Sequence, residues 1–259
     1  MIISILTDNL PGRETAAEHG LSYLIEHDGR KVLFDTGQSN LFLKNASIMG
    51  LDMPLFHTIV LSHGHFDHGN GLRHLEGGDL ICHPGCFVKR YRKSDHSYIG
   101  LRLSEEQMAE KFNLIRSREP NAISDRILFL GEIPRVTDFE SNQSTFVLEN
   151  GEADFIEDDS AIALISDHGL FVITGCGHAG IVNTLEHARN TTGIERIYGV
   201  MGGFHLKQPD HQTKETIRYL KKHEVPHVYP SHCTGEPALA LFDEVFCSKR
   251  VQTGDRFTF

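Results

Sequence analysis

Four candidate metal ligands fall within six residues in the string Ser62-His63-Gly64-His65-Phe66-Asp67-His68-Gly69. No other stretch narrows the fold as far. It follows His57-Thr58-Ile59-Val60-Leu61, an apolar run that reads as a buried strand. Three neutral imidazoles and a carboxylate suit zinc, and also iron or manganese. In a strand or tight loop, His63, His65 and Asp67 share one side with period two, while His68 points elsewhere. One short loop then feeds two neighbouring metal positions. Gly64 and Gly69 allow tight turns around such a site. A plain His-rich surface loop is the blander reading, and it suits a lone His-x-His better than this full string at a strand end.

The string His63 to His68 resembles the signature of the metallo-β-lactamase superfamily. Three later segments are similar to the branch of that superfamily labelled dihydropteroate-synthase-like. They are Gly175-Cys176-Gly177-His178-Ala179-Gly180, Gly202-Gly203-Phe204-His205-Leu206 and Pro230-Ser231-His232-Cys233-Thr234-Gly235. The resemblance implies an α/β (α+β) chain: an αββα sandwich of two mixed β-sheets flanked by helices. It covers nearly all of residues 1–259 and implies a single domain.

Composition agrees with a globular α/β chain and excludes some partners. The 259 residues are 39% hydrophobic and 23% charged, enough apolar material for a sizeable core. A formal charge of −10, spread along the chain, argues against sequence-independent nucleic-acid binding. Five cysteines without a Cys-x-x-Cys argue against a disulfide framework or a zinc ribbon and fit a reducing cytoplasm. The opening Met1 to Asp8 reads as a first strand rather than a signal peptide, and no apolar run approaches a membrane span.

Along the chain, Ile2–Leu6 reads as a strand. Leu21–Glu26 and Lys31–Phe34 flank Asp28-Gly29 as a hairpin. Asp35-Thr36-Gly37 follows. Its Asp35 is a candidate helix cap on residue grounds, while the superfamily's Asp-Thr-Gly implies support of the metal site from behind its ligands. Ser39–Met49 reads as a helix stopped by Gly50, with Pro54 ending any continuation. Asn70–Leu75 reads as a short helix and Leu80–His83 as a strand.

Residues 84 to about 125 change character and read as an insertion or lid. Lys89-Arg90-Tyr91-Arg92-Lys93 is basic, and Arg90, Arg92 and Lys93 are candidates for binding an anionic substrate. Their plainer role is solubility. Ser104-Glu105-Glu106-Gln107 opens a helix to Phe112 with a capping box, Leu103, Met108 and Phe112 forming its apolar face. Strands are then expected at Ile127–Leu130, Phe146–Leu148, Phe155–Ile156, Ala161–Ile165 and Leu170–Thr174. Helices at about 179–189, 212–223 and 237–246 alternate with strands Ile197–Met201 and Val225–Tyr229. Short strands Arg250–Thr253 and Arg256–Phe259 close the chain.

The other candidate ligands follow late strands, where α/β proteins place their sites. Cys176 and His178 follow one strand, and His205 and His232 follow the next two. By resemblance, the first metal is held by His63, His65 and His178, and the second by Asp67, His68 and His232. Glu157-Asp158-Asp159-Ser160 lacks the His many relatives carry there, and Cys176 stands where a bridging Asp is usual. Cys176 is then a thiolate ligand or a buried thiol, and His205 a ligand or a substrate contact.

Two divalent metals about 3.5–4 Å apart, zinc or else manganese or iron, would make hydroxide available near neutral pH. Asp67 and His205 are the candidate catalytic residues. Gly175 to Gly180 leads into a helix N-terminus whose amides could hold an anion. These features point to a hydrolase of an anionic, phosphate-containing small molecule. Alternatives are the branch's transferase reaction, which joins a dihydropterin-methyl diphosphate to a ribofuranosyl-aminobenzene phosphate, and a non-catalytic metal- or ligand-binding module. His65 stands where di-iron redox relatives have Glu, and the acidic charge disfavours RNA processing. Oligomeric state is not legible.

Overall fold

The computed structural model describes residues 1–51 and 58–259. The expectations for Pro54 and His57 lie outside the described residues. Two compact units emerge: Met1–Arg118 with Ser144–Asp154 and Gln252–Phe259, and Glu119–Gln143 with Phe155–Val251.

The first unit contains β1 (Ile2–Thr7), β2 (Ser22–His27), β3 (Arg30–Phe34), β4 (Thr58–Val60), β5 (Asp79–Cys82), β6 (Arg90–Arg92) and β7 (Asn113–Arg116). The second contributes β8 (Asn121–Ser124) and β9 (Ile127–Phe129), and β10 (Phe146–Leu148) belongs again to the first. β11 (Ala161–Ser166), β12 (Gly169–Thr174), β13 (Ile197–Gly203) and β14 (His227–Ser231) complete the second unit, and β15 (Arg256–Thr258) the first. Helices α1 (Leu41–Ile48), α2 (Phe66–Gly69) and α3 (Glu105–Lys111) lie in the first unit. Helices α4 (Ile181–Thr192), α5 (His211–Lys222) and α6 (Glu236–Phe246) lie in the second.

Each unit is built on a mixed sheet. The first has strand order β15-β1-β2-β3-β4-β5-β7, antiparallel up to β3 and parallel from β3 to β7. The second has order β14-β13-β12-β11-β9-β8, with β12, β13 and β14 mutually parallel. The β2–β3 hairpin turns at Asp28 and Gly29, with φ of 51° and 67°. That is the positive-φ pair an Asp-Gly hairpin demands.

One face of the first sheet buries Leu24, Leu33, Ile59 and Leu80 against Phe42 and Ala46 of α1 and Met108 of α3. In the second, Ala163, Val172, Val200 and Val228 pack with Leu185 of α4, Leu220 of α5 and Phe242 of α6. Burial on this scale, roughly 1.5–3 kcal/mol per large side chain, holds each sheet to its helices. Among the described residues, no helix is long and apolar enough to cross a membrane.

The stretch at 84–125 contains more sheet than a covering loop would. Its β7 extends the first sheet, β8 the second, and β6 pairs with β10 in a two-stranded ribbon. α3 carries the expected capping box, with Gln107 N donating to Ser104 Oγ at 3.3 Å and Ser104 N to Gln107 Oε1 at 2.9 Å. Ser104→Ala should lower the unfolding free energy by about 1 kcal/mol, read as a shift of the urea midpoint at constant slope.

Two expected strands are absent. At Phe155–Ile156, Ile156 turns to φ 54° and both carbonyls accept from Arg135 Nη2, so the backbone leaves the ribbon. At Arg250–Thr253, Arg250 pairs with Glu236, while Thr253 ties down the N-terminal loops through Leu10 O, Asp8 N and Thr15 Oγ1.

Candidate metal centre

In the first unit the candidate ligands grow from the C-terminal ends of parallel strands, the usual location of α/β sites. Asp35 directly follows β3 and is fully buried at φ 56°. Parallel pairing of Phe34 with Val60 brings Asp35 beside the start of the motif. Asp35 Oδ1 accepts from Ser62 N at 2.7 Å. Asp35 Oδ2 accepts from Ser62 Oγ at 2.7 Å and contacts His68 Nδ1 at 2.6 Å. The capping reading of Asp35 is thereby replaced: α1 has Asn40 at its N-cap and no side-chain cap bond.

These bonds set the tautomers. A carboxylate only accepts, so a neutral His68 keeps its proton on Nδ1 and directs the Nε2 lone pair outward. Ser62 has one hydroxyl proton, and Asp35 takes it. Ser62 Oγ therefore accepts from His63 Nδ1, 2.9 Å away. The Nε2 lone pair of His63 then faces His65 Nδ1 at 2.9 Å. One buried aspartate thus fixes the tautomers of two imidazoles, leaving the lone pair of each on Nε2. Burial lowers the His68 pKa, but the charges of Asp35 and Asp67 and the Asp35 hydrogen bond outweigh it, and the net direction is up.

The extended reading of the motif holds as far as His65. Phe66–Gly69 then forms one helical turn, so Asp67 and His68 leave the period-two pattern. His68 does not point away: its ring centroid lies 4.2 Å from that of His63. Gly64 is required where it stands, because a Cβ there would lie 1.9 Å from Cys86 O. Asp67 Oδ2 meets His19 Nε2 at 3.0 Å and lies 3.9 Å from His68 Nε2. His19 sits in an irregular loop without a motif, and only Gly20 beside it hints at the close approach to Asp67 O.

The second unit repeats the arrangement. Cys176 and His178 follow β12, His205 follows β13, and His232 and Cys233 follow β14. His205 and His232 adopt φ of 52° and 50°, a sparsely populated conformation that clusters at functional sites. The rings of His178 and His205 lie 4.3 Å apart. Cys176, His232 and Cys233 each offer a donor atom within 4.8 Å of the others. Burial raises the Cys233 pKa. The Cys176 hydrogen bond, the nearby His232 and Lys207 charges and the His205 amide more than reverse this, bringing it to about 7.

Two anion-binding features carry internal partners. At the start of α4, Ala179 N donates to Asp159 Oδ2 at 2.8 Å. Val182 N and Asn183 N donate to Glu140 Oε1 and Oε2 at 3.0 and 2.9 Å. The expected anion cradle is already filled by the protein's own carboxylates. In the basic run, Arg90 is 1% exposed, pairs with Asp154 at 3.3 Å and donates to Gly85 O. Lys89 pairs with Glu149, and Arg92 with Asp95 at 3.5 Å. Arg92 and Lys93 are exposed. Arg92 lies opposite Phe146 in the ribbon, and the Phe146 ring meets His65 edge-on at 5.0 Å.

Residues 16–77, the span carrying Asp35 and the histidine motif, match the sequence profile of the metallo-beta-lactamase superfamily. An uncharacterized protein of Methanocaldococcus jannaschii, MJ0448, is 32% identical over 252 residues, covering 94% of each chain. A second relative from that organism is 32% identical over 251 residues, covering 89% of this chain and 85% of its own length. It is a 7,8-dihydropterin-6-methyl-4-(beta-D-ribofuranosyl)-aminobenzene-5'-phosphate synthase. The chain belongs to the metallo-beta-lactamase superfamily. Its fold is that of the crystal structure of Tm1679, a metal-dependent hydrolase of the beta-lactamase superfamily. That match has a TM-score of 0.89 and 32% identity, over 100% of this chain and 99% of that one. Superfamily membership makes a small-molecule substrate and a metal-dependent reaction the general expectation, and the His, Cys and Asp groups described above could hold the metal.

Proposed function

We propose that this chain is a metal-dependent hydrolase of a phosphate-containing or otherwise anionic small molecule, a single domain that uses two divalent ions. The observation that carries the reading is the buried Asp35–Ser62–His63–His68 network, which fixes the tautomers and orientations of two histidines of the motif. His63, His65 and His178 hold the first ion, and Asp67, His68 and His232 the second, with Cys176 as a further thiolate donor. This imidazole-rich set fits zinc, and also manganese or iron. Divalent ions held there would supply Lewis acidity and lower the pKa of water.

The chain's own groups do the rest. Asp35 fixes the proton on His68 Nδ1. Asp67, in contact with His19, accepts a proton in this reading. His205, held at positive φ beside His178, contacts substrate. Arg92 shares a ribbon face with Phe146, whose ring touches His65, and it meets the substrate's anionic group. Lys93 adds a second exposed cation, and Arg90 acts behind them through Asp154. The five cysteines, none in a disulfide, suit the cytoplasm.

The 32% identical synthase favours a second reading, a transferase that joins a dihydropterin-methyl diphosphate to a ribofuranosyl-aminobenzene phosphate. Chelator-treated protein should be inactive and regain phosphodiester or phosphomonoester hydrolysis on addition of about two equivalents of zinc or manganese. Hydrolysis of none of these esters, with product formed from the pterin and aminobenzene phosphate pair, would replace the hydrolase reading by the transferase one. Arg92→Ala should raise KM for an anionic substrate by about tenfold, the value of a charge-assisted hydrogen bond, with kcat little changed. Equal KM values in the steady-state assay would remove Arg92 from the site.

A further inference from the structure

One cluster of donors lies wholly within the second unit and includes a residue given no role so far. Cys176, His232 and Cys233 are 4%, 7% and 8% exposed, and a donor atom of each lies within 4.8 Å of the other two. The loops that bear them are drawn together at Gly203, the last residue of β13. A Cβ there would stand 2.7 Å from Cys233 Sγ and 3.1 Å from Cys176 Cα, so a larger residue would push the two cysteine loops apart. Cys233 Sγ lies 3.3 Å from His205 N and 3.4 Å from Cys176 O. His232 is held at φ 50° by the same turn that presents Cys233.

We propose that Cys233 is a metal ligand, acting with Cys176 and His232 as a two-sulfur, one-imidazole donor set for a soft divalent cation such as zinc. The inference rests on the reading that this chain binds metal, and it changes the chemistry of one position from oxygen-and-nitrogen to sulfur-rich. Metal–sulfur bonds of about 2.3 Å and metal–nitrogen bonds of about 2.0–2.1 Å can be reached from donors this close by small side-chain rotations. Thiolates select zinc over magnesium, calcium or manganese. The His205 amide, directed at Cys233 Sγ, supports negative charge on that sulfur as outer hydrogen bonds do in thiolate sites. On ligation each thiol gives its proton to solvent, so two protons leave for each cation bound by both sulfurs.

X-ray absorption at the zinc edge of the zinc-loaded full-length chain tests this without an activity assay. The expected result is a zinc–sulfur shell at about 2.3 Å. Cys233→Ser should remove about half of the sulfur contribution, and the Cys176→Ser/Cys233→Ser pair all of it. Zinc bound only through nitrogen and oxygen would overturn the inference and leave the metal reading standing. So would a sulfur shell unchanged in Cys233→Ser, or a Cys176–Cys233 disulfide in zinc-loaded protein. Failure of the chain to take up zinc would overturn both. Circular dichroism establishes that the variants are folded, and where they are not, the wild-type shell decides.

Discussion

Asp35→Asn should weaken metal binding and metal-dependent turnover by about 10–100-fold while leaving the protein folded. Asparagine tolerates the φ of 56° at this position, so the backbone has little reason to move. The hydrogen-bond pattern must change. Asp35 accepts from Ser62 N on one oxygen and from Ser62 Oγ on the other, which also contacts His68 Nδ1. An amide can accept on one side only. Its NH2 then faces either the Ser62 amide or the His68 Nδ1 proton, donor against donor. If Nδ1 gives way, His68 moves its proton to Nε2, and the lone pair meant for the metal is lost. Ser62 is released to donate to His63 instead, disturbing a second tautomer.

The metal-free protein offers an independent check. The raised His68 pKa means that the imidazolium–Asp35 pair stabilises the fold below the ordinary His pKa and that this stability is lost as pH rises through the folded value. Asp35→Asn should remove the larger part of that slope in chelator-treated melts, the Asp67 charge remaining. Unchanged metal affinity by titration calorimetry would exclude this role for Asp35.

What could be read from the sequence was local. The string His63 to His68, the Asp28-Gly29 turn and the Ser104–Gln107 cap each carry their geometry within a few residues. The late strands were legible because short apolar runs alternate with helical ones, and each ends in Gly or Pro before His. What escaped depends on partners far along the chain. Pairing of Phe146–Leu148 with Arg90–Arg92 spans over fifty residues, and it turns part of an apparent loop into a ribbon against His65. Burial of Arg90 follows from Asp154, which no local rule joins to it. His19 and Ser62 have no signature, since one reaches Asp67 from an irregular loop and the other acts through a single hydroxyl proton. Cys233 stands in the string Pro230 to Gly235, but no local rule gave it a role. Its proximity to Cys176 arises from two neighbouring loops separated by a glycine-ended strand.

Glu140 shows the same limit most sharply, and its removal should have a large effect on stability. The residue lies in an irregular segment, 1% exposed, with its carboxylate against the first turn of α4. Its two oxygens accept from Val182 N and Asn183 N, amides that no residue within the helix can satisfy. Gly180, at φ 104°, makes room: a Cβ there would stand 2.4 Å from the Glu140 carboxyl carbon. Glu140→Ala leaves two buried donors without an acceptor, at about 1–3 kcal/mol each, so a loss of about 2–6 kcal/mol is expected by chemical denaturation. Glu140→Gln should lose less, because one acceptor oxygen remains. Burial raises the Glu140 pKa despite the helix amides and Thr137, which act to lower it. The folded protein therefore holds the proton more tightly than the unfolded chain. Wild-type stability from this group falls as pH climbs from the ordinary carboxylate range through the raised value. The gap between wild type and Glu140→Ala should accordingly narrow as pH rises. A widening gap would mean that the amides and the helix dipole, rather than desolvation, govern the carboxylate, and that an anion at this helix start is favoured for its charge.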